Sequence, residues 1–398
     1  MKNTGSGAKG LKTEELIRAY FLRGGFFVMR GIKLRCGGDD STDIDLWVYE
    51  RSATLARRRT IIDIKDKTRP QAAERLFFIK GLANVIAVEG AGVATSDSRA
   101  PLRELGRRHG LIWIDGDDLR RLKESESLQN LDRITEEELA SEIASIDSAR
   151  SGRIFREKLD EVRFSIADRF GPSCANTALE GFRLFAAGAV GAHPSSPAAR
   201  MAGRLAYLTA AISAAALDFA SADHALRPSA DRVRHMTDAI RFGANSEGVL
   251  SNLRWAETAI REYAPNGAGV AQIVHEKFWS EFNAVPAEAL AEIIVKQSNS
   301  EKLFTIAKAL EQAAYSRRLV SFDYLDAEPK GFLAALLDFV DVSRPKFADA
   351  WHGQSAAEAS SGSYAEVRNE TIRAASGNSH SSSKRKLPSR LRAQRSLI

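Results

Sequence analysis

TDIDLWVY at residues 42–49 and RRRTIIDIKDK at residues 57–67 are the two stretches that decide the fold of this chain. Both are rich in β-branched and aromatic residues, and in both apolar residues alternate with polar ones. This pattern is typical of half-buried strands. We therefore predict that the two stretches form strands that pair as a hairpin.

The acidic residues of this hairpin fall on shared faces. Side chains two apart in a strand point to the same side, so Asp43 and Asp45 share one face, as do Asp63 and Lys65. Pairing of the strands then brings two carboxylates and a lysine onto one surface. Carboxylate oxygens suit Mg²⁺, and a neighbouring lysine can hold water or neutralise charge. The hairpin therefore predicts a site for metal-assisted phosphodiester hydrolysis.

Further strand and helix patterns extend the hairpin into an α/β domain over residues 1–125. Thr13 is expected to cap the first helix, which ends before Gly24. The remaining predicted elements are strands at 26–35, 43–49, 60–65, 84–95 and 111–114, and helices from residue 70, at 98–109 and at 115–123. The order predicts a mixed sheet with an α-β-β-β-α-β core and helices on its faces.

Strand patterns disappear after the polar stretch at 123–130. Residues 133–352 are rich in Ala, Leu, Glu and Arg with helical spacing, and they predict an irregular all-helical domain for recognition of a substrate or protein partner. The longest apolar run, 205–220, is shorter than the ~20 residues that span a bilayer. Because this run also contains Asp218, we interpret it as a buried helix and expect no membrane association.

The basic charge of the chain is concentrated at its end. Seven of the 57 basic residues follow Glu370, the last acidic residue, which leaves 50 bases against 51 acids before that point. Residues 353–398 are interpreted as a Ser-rich linker and a disordered basic tail, which either stays solvated or binds phosphates. Two cysteines in 398 residues fit a reducing, cytoplasmic location.

Residues 13–96 resemble the core of the PD-(D/E)XK nuclease superfamily, which has the restriction-endonuclease-like fold. The resemblance is nearest to Mrr-type restriction enzymes and Holliday-junction resolvases. The family pattern is a helix glutamate, an aspartate on the second strand, an Asp-x-Lys pair on the third and a glutamine opening the next helix. The corresponding residues here are Glu14, Asp45, Asp63, Lys65 and Gln71. The resemblance also implies that the Ile64 carbonyl binds the metal.

The sequence departs from the family pattern beside the second-strand aspartate. Ile44 stands where many members have proline, and Asp43 could replace Asp45 as the ligand, although we favour Asp45. The Asp-x-Lys motif alone is common, so its specificity comes from the surrounding strands and helices. An ordinary Asp–Lys ion pair on a solvated hairpin is the alternative interpretation.

The resemblance implies an endonuclease that hydrolyses DNA with Mg²⁺ or Mn²⁺, in genome defence or recombination. A catalytically inactive nuclease-like subunit that binds DNA or acts as a scaffold is the alternative function. Paired cuts in a duplex usually need two such domains, so a homodimer is expected. Basic residues expected to contact DNA phosphates occur on the hairpin arm and in the tail: Arg57, Arg58, Arg59, Lys384, Arg385 and Lys386.

Overall fold

A five-stranded mixed sheet forms the first part of the chain. The computed structural model describes residues 4–36, 39–67, 71–125, 128, 132–146, 151–299 and 301–350. The strands are β1 (Phe27–Cys36), β2 (Asp39–Arg51), β3 (Arg57–Lys65), β4 (Gly90–Thr95) and β5 (Ile112–Ile114). They lie in chain order, with β1, β2 and β3 antiparallel and β3, β4 and β5 parallel. The predicted mixed sheet and the predicted hairpin are confirmed.

Four helices accompany the sheet among the described residues: α1 (Thr4–Arg23), α2 (Ala72–Val85), α3 (Ala100–Arg108) and α4 (Gly116–Glu124). The prediction that Thr13 caps the first helix is wrong, because α1 begins at Thr4. Thr13 lies inside α1, and its hydroxyl donates a hydrogen bond of 2.7 Å to Asp66. The strand predicted to begin at Asn84 begins at Gly90, because the apolar residues up to Val85 continue α2.

The chain after Ile134 forms helices joined by short connections in its described residues, and the predicted helical region is confirmed. Its helices are α5 (Glu136–Ile146), α6 (Ser151–Arg169), α7 (Pro172–Gly191), α8 (Pro197–Ala220), α9 (Ser229–Phe242), α10 (Ser246–Tyr263), α11 (Gly267–Asn283), α12 (Ala287–Ser298), α13 (Lys302–Tyr315), α14 (Ala327–Phe339) and α15 (Arg344–Asp349). Helix α8 contains the long apolar run. This segment is long and apolar enough to cross a membrane, but 89% of its most apolar window is buried inside the protein, so α8 is a core helix.

The two faces of the sheet pack against different partners. On one face, Ile62 and Ile64 pack with Ile17 of α1 and Leu119 of α4. The opposite face contains Trp47 and Tyr49 and belongs to the same core as the helices that follow the sheet. Burial of these two faces supplies most of the driving force for adding helices to both sides of the sheet.

Aromatic contacts join the sheet directly to the helical region. The centre of the Trp47 ring lies 4.5 Å from the centre of the Phe170 ring, and the ring centres of Tyr49 and Phe304 are 5.4 Å apart. Residues 1–353 accordingly form one compact unit. The division into an α/β domain at 1–125 and a helical domain at 133–352 stays a prediction. The predicted linker and tail at 353–398 lie outside the described residues.

Candidate active site

The site lies where β2 and β3 separate. Their backbone ladder ends with the pair Leu46–Ile62. Beyond that pair the Asp45 carboxylate takes the place of a backbone acceptor, and it accepts a hydrogen bond of 2.6 Å from the Ile64 N–H. This contact fixes the carboxylate between the two strands. Burial raises the pKa of the Asp45 carboxyl above its usual range, against the opposing effects of Lys65 and of the Ile64 N–H.

Lys65 lies between the two strand carboxylates. Its ammonium nitrogen is 3.3 Å from Asp45 Oδ2 and 3.6 Å from Asp63 Oδ1. Asp63 is the more enclosed of the two, with a side chain that is 4% exposed, against 14% for Asp45 and 26% for Lys65. These three side chains therefore lie together, at an edge that solvent can reach.

Helix α2 contributes a residue that the family pattern does not include. The guanidinium of Arg75 contacts both oxygens of Asp63: Nε donates a hydrogen bond of 2.7 Å to Oδ2, and Nη2 donates one to Oδ1. The same guanidinium lies 4.2 Å from the centre of the Phe78 ring. Hydrogen bonding to Asp63 raises the pKa of Arg75. Arg75 follows Gln71 by one helical turn, but no local pattern in the sequence identifies Asp63 as its partner.

Glu14 of α1 lies close enough to Asp45 and Lys65 for their charges to affect its titration. Burial raises the pKa of the Glu14 carboxyl, Asp45 raises it further, and Arg30 and Lys65 act in the opposite direction. Its direct partner is Arg30 of β1, whose Nε is 2.8 Å from Glu14 Oε2. Arg30 also binds Glu15 and Glu137, so Glu14 belongs both to the site and to a neighbouring ion-pair cluster.

The other predicted site residues lie around the group formed by Asp45, Asp63 and Lys65. Gln71 opens α2 with left-handed backbone (φ 48°), is exposed, and makes no side-chain hydrogen bond to the helix end. Asp43 is exposed and lies opposite Lys33 of β1. Lys65 contacts Asp45, and the choice of Asp45 over Asp43 as the metal ligand stays a prediction. Ile64 is buried, and its N–H is the group that meets Asp45.

The three arginines of the hairpin arm lie at the far end of β3. Arg57 and Lys65 are the two ends of this strand, which at ~3.3 Å per residue places them ~26 Å apart. Arg57 is 3.1 Å from Asp218, and Arg59 is held by Glu89 and by the Phe219 ring. The Arg58 side chain is 44% exposed, with Glu50 at 4.0 Å.

Of these three arginines, Arg58 is therefore the best placed for phosphate contact. Lys384, Arg385 and Lys386 lie outside the described residues.

The oxygen atoms at this site suit a divalent cation, but other residues currently bind them. Asp45, Asp63, Glu14 and the Ile64 carbonyl offer the hard ligands that Mg²⁺ prefers. Within the described part of the chain, however, no three acidic, histidine or cysteine side chains are grouped to hold a metal ion. Arg75 occupies both oxygens of Asp63. Arg75 is therefore the side chain that a cation at Asp63 would meet first.

Comparison of the chain with protein-family models, with curated proteins and with solved structures found no match.

Proposed function

We propose that this chain is a cytoplasmic endonuclease that hydrolyses DNA phosphodiester bonds with Mg²⁺ or Mn²⁺, built on a restriction-endonuclease-like fold. One observation carries the proposal: Lys65 lies within 3.6 Å of two carboxylates that come from neighbouring strands. A solvated hairpin with an ordinary ion pair would not need the second carboxylate, nor would it need to bury Asp63.

Each residue of the site has a role in this reaction. Asp45, Asp63 and the Ile64 carbonyl would hold the cation, which when bound polarises a phosphoryl oxygen and lowers the pKa of a water molecule. The Lys65 ammonium would orient the attacking water and offset negative charge on the phosphate. The raised pKa of Glu14 makes its carboxylate a better proton acceptor near neutral pH. Gln71, at the open end of α2, would contact the substrate.

The wider role follows from the same proposal. By analogy with nucleases of this kind, we place the protein in genome defence or recombination. The helical region would recognise the DNA or a protein partner. A homodimer would supply the two catalytic centres that a double-strand cut requires.

The pairing of Asp63 with Arg75 favours a second candidate function. A nuclease-like subunit that has lost catalysis would keep the fold and replace the metal charge with an arginine. Such a subunit would bind DNA or serve as a scaffold in a larger complex. The two functions differ in whether any divalent cation supports cleavage.

The test uses the full-length protein with supercoiled plasmid, linear duplex and single-stranded DNA, each with Mg²⁺, Mn²⁺ or EDTA. We expect cleavage with either metal and none with EDTA. Asp45→Asn, Asp63→Asn and Lys65→Met should each lower the cleavage rate at least ~100-fold, whereas the matched control Asp43→Asn should stay within ~3-fold because Asp43 is exposed and does not contact Lys65. Thermal unfolding of every variant checks that the fold is intact.

Two results would contradict the proposal. If wild type binds duplex DNA but cuts none of the substrates with either metal, the second candidate function is supported. If wild type cuts and the three site variants cut equally well, the carboxylates and Lys65 are not the catalytic group.

A further inference from the structure

The pairing of Arg75 with Asp63 determines when a cation can enter this site. Both oxygens of Asp63 receive hydrogen bonds from one guanidinium, which is the two-point geometry of a strong arginine–carboxylate pair. Asp63 is 4% exposed, so water cannot replace the arginine as its partner. A buried carboxylate without a cationic partner is costly. Lys65 lies farther from Asp63, at 3.6 Å, so Asp63 loses its closest cationic partner when Arg75 leaves unless a metal ion takes its place.

The charges at the site also disfavour a cation while Arg75 is bound to Asp63. Asp45 and Asp63 carry two negative charges, and Lys65 and Arg75 carry two positive charges within contact distance. The site is consequently close to neutral in the free protein and attracts a cation weakly. A divalent ion that binds beside Arg75 would also meet its repulsion. Removal of the guanidinium from Asp63 relieves both effects.

Arg75 is placed to move. Its side chain is 25% exposed and starts from the first turns of α2, next to the open end of the site. Among the residues that the structure describes, Asp63 is the one recorded hydrogen-bond acceptor of its guanidinium. The Phe78 ring supports the guanidinium from one side and is itself 37% exposed. A change of rotamer would carry the guanidinium outward over the surface where Lys65 is reached by solvent.

We propose that Arg75 and a divalent cation exchange on Asp63, and that a DNA phosphate receives the released guanidinium. The planar guanidinium matches a phosphate with the same two-point geometry as a carboxylate. The metal and the DNA then bind cooperatively. The metal displaces the Arg75 guanidinium from Asp63, and the DNA phosphate gives that guanidinium a new anionic partner. This inference rests on the proposed function, and it assigns Arg75 as the residue that makes metal binding depend on substrate.

Metal affinity, rather than activity, is the measured quantity. All proteins carry Lys65→Met, which keeps Arg75 and both carboxylates and slows cleavage of the DNA at least ~100-fold, and each titration is checked for intact duplex at its end. Mn²⁺ is titrated calorimetrically into this parent and into the parent with Arg75→Ala, with and without a short duplex. Arg99→Ala, which removes an exposed charge paired with Asp97, is the matched control. Arg75→Gln serves as a second variant if Arg75→Ala loses cooperative unfolding.

We expect Arg75→Ala to bind Mn²⁺ at least ~10-fold more tightly than the parent without DNA, whereas Arg99→Ala should stay within ~2-fold. The duplex should tighten Mn²⁺ binding at least ~10-fold in the parent and less than ~3-fold in Arg75→Ala. Linkage requires that Mn²⁺ tighten duplex binding by the same factor.

The contrary results separate this inference from the proposed function. Equal Mn²⁺ affinity in the parent and Arg75→Ala overturns the exchange, while the nuclease proposal stands if wild type still cleaves DNA. An equal effect of the duplex in both proteins overturns the coupling. If neither protein binds Mn²⁺ and wild type cuts no DNA with any metal, the proposed function fails, and the inference fails with it.

Discussion

The Asp218 carboxylate of α8 accepts a hydrogen bond of 2.6 Å from the Tyr49 hydroxyl of β2. Its other oxygen lies 2.7 Å from a guanidinium nitrogen of Arg51, and both charged side chains are completely buried. Arg51 also donates a hydrogen bond of 2.8 Å to the Ser298 carbonyl and lies 4.0 Å from Glu301. Asp218 and Arg51 together therefore join the sheet to α8 and α12.

Loss of this carboxylate should destabilise the whole compact unit. Asp218→Ala leaves Arg51 buried without its counter-charge, and we expect the free energy of unfolding in urea to fall by about 3–5 kcal/mol. The matched control is Glu104→Ala, which breaks an exposed pair with Arg108 and should cost less than about 1 kcal/mol. Equal losses in the two variants would show that the buried pair does not join the sheet to the helices.

The buried cluster around Glu136 should make stability depend on pH. Burial raises the pKa of Glu136, but Arg163 and Arg18 outweigh this effect and the net shift is downward. A carboxyl with a lowered pKa in the folded state contributes stability above its unfolded value of about 4.3, and this contribution is lost as the pH falls through the folded value. Tyr315, whose pKa burial raises to about 12, remains neutral over this range and donates to Glu136.

Glu136→Gln should therefore lower the free energy of unfolding by about 1.5–3 kcal/mol at pH 7, and by progressively less below about pH 4.3. Urea denaturation from pH 3 to pH 7 measures the difference. Glu157→Gln, on an exposed i,i+4 pair, is the control and should show little difference at any pH. A Glu136→Gln difference that stays constant with pH would mean that the carboxylate charge is not what stabilises the cluster.

Two helix glycines should respond to alanine in opposite directions. A Cβ on Gly116, at the start of α4, would lie 2.5 Å from the Ser96 carbonyl oxygen, so the backbone would have to shift. A Cβ on Gly81, within α2, would meet no atom within 4 Å. We expect Gly116→Ala to lower the free energy of unfolding by about 1–3 kcal/mol and Gly81→Ala to raise it by about 0.5–1 kcal/mol. If the melting temperatures of Gly116→Ala and Gly81→Ala shift in the same direction, the close approach of Gly116 to the Ser96 carbonyl is contradicted.

The basic tail should dominate the salt dependence of DNA binding if it contacts phosphates. Each phosphate contact lowers log affinity by ~0.9 per unit of log salt. Truncation after Ser383 removes six basic residues: Lys384, Arg385, Lys386, Arg390, Arg392 and Arg395. The slope of log DNA affinity against log salt concentration should then become shallower by several units. Cleavage at saturating DNA should change little, because Asp45 and Lys65 remain. An unchanged slope would assign DNA binding to the rest of the chain.

The parts of the site that follow from local periodicity could be predicted from the sequence. Alternation along β3 places Asp63 and Lys65 on one side, and the hairpin supplies Asp45 from β2. The order of strands and the change to helices after residue 133 also follow from local patterns. These features depend on neighbours a few residues away, so one sequence is sufficient to find them.

The partners of Arg57 and Arg75 could not be predicted in the same way. The sequence predicts that Arg57 contacts DNA phosphates, yet its partner Asp218 lies 161 residues later, in a helix that is mostly apolar. Arg75 reaches Asp63 because α2 packs across the sheet at one particular angle. That angle depends on the shape of a whole core rather than on any local pattern.

The ion pair between Arg18 and Glu311 affects how this protein folds during its synthesis on the ribosome. Arg18 Nη2 lies 2.8 Å from Glu311 in the buried interior, and 293 positions of the chain separate them. At ~5–20 residues per second, about 15–60 s of translation separates the two residues. During that interval the newly made sheet exposes its aromatic face, including Trp47, so the nascent chain is a candidate for chaperone binding until the last helices are synthesised.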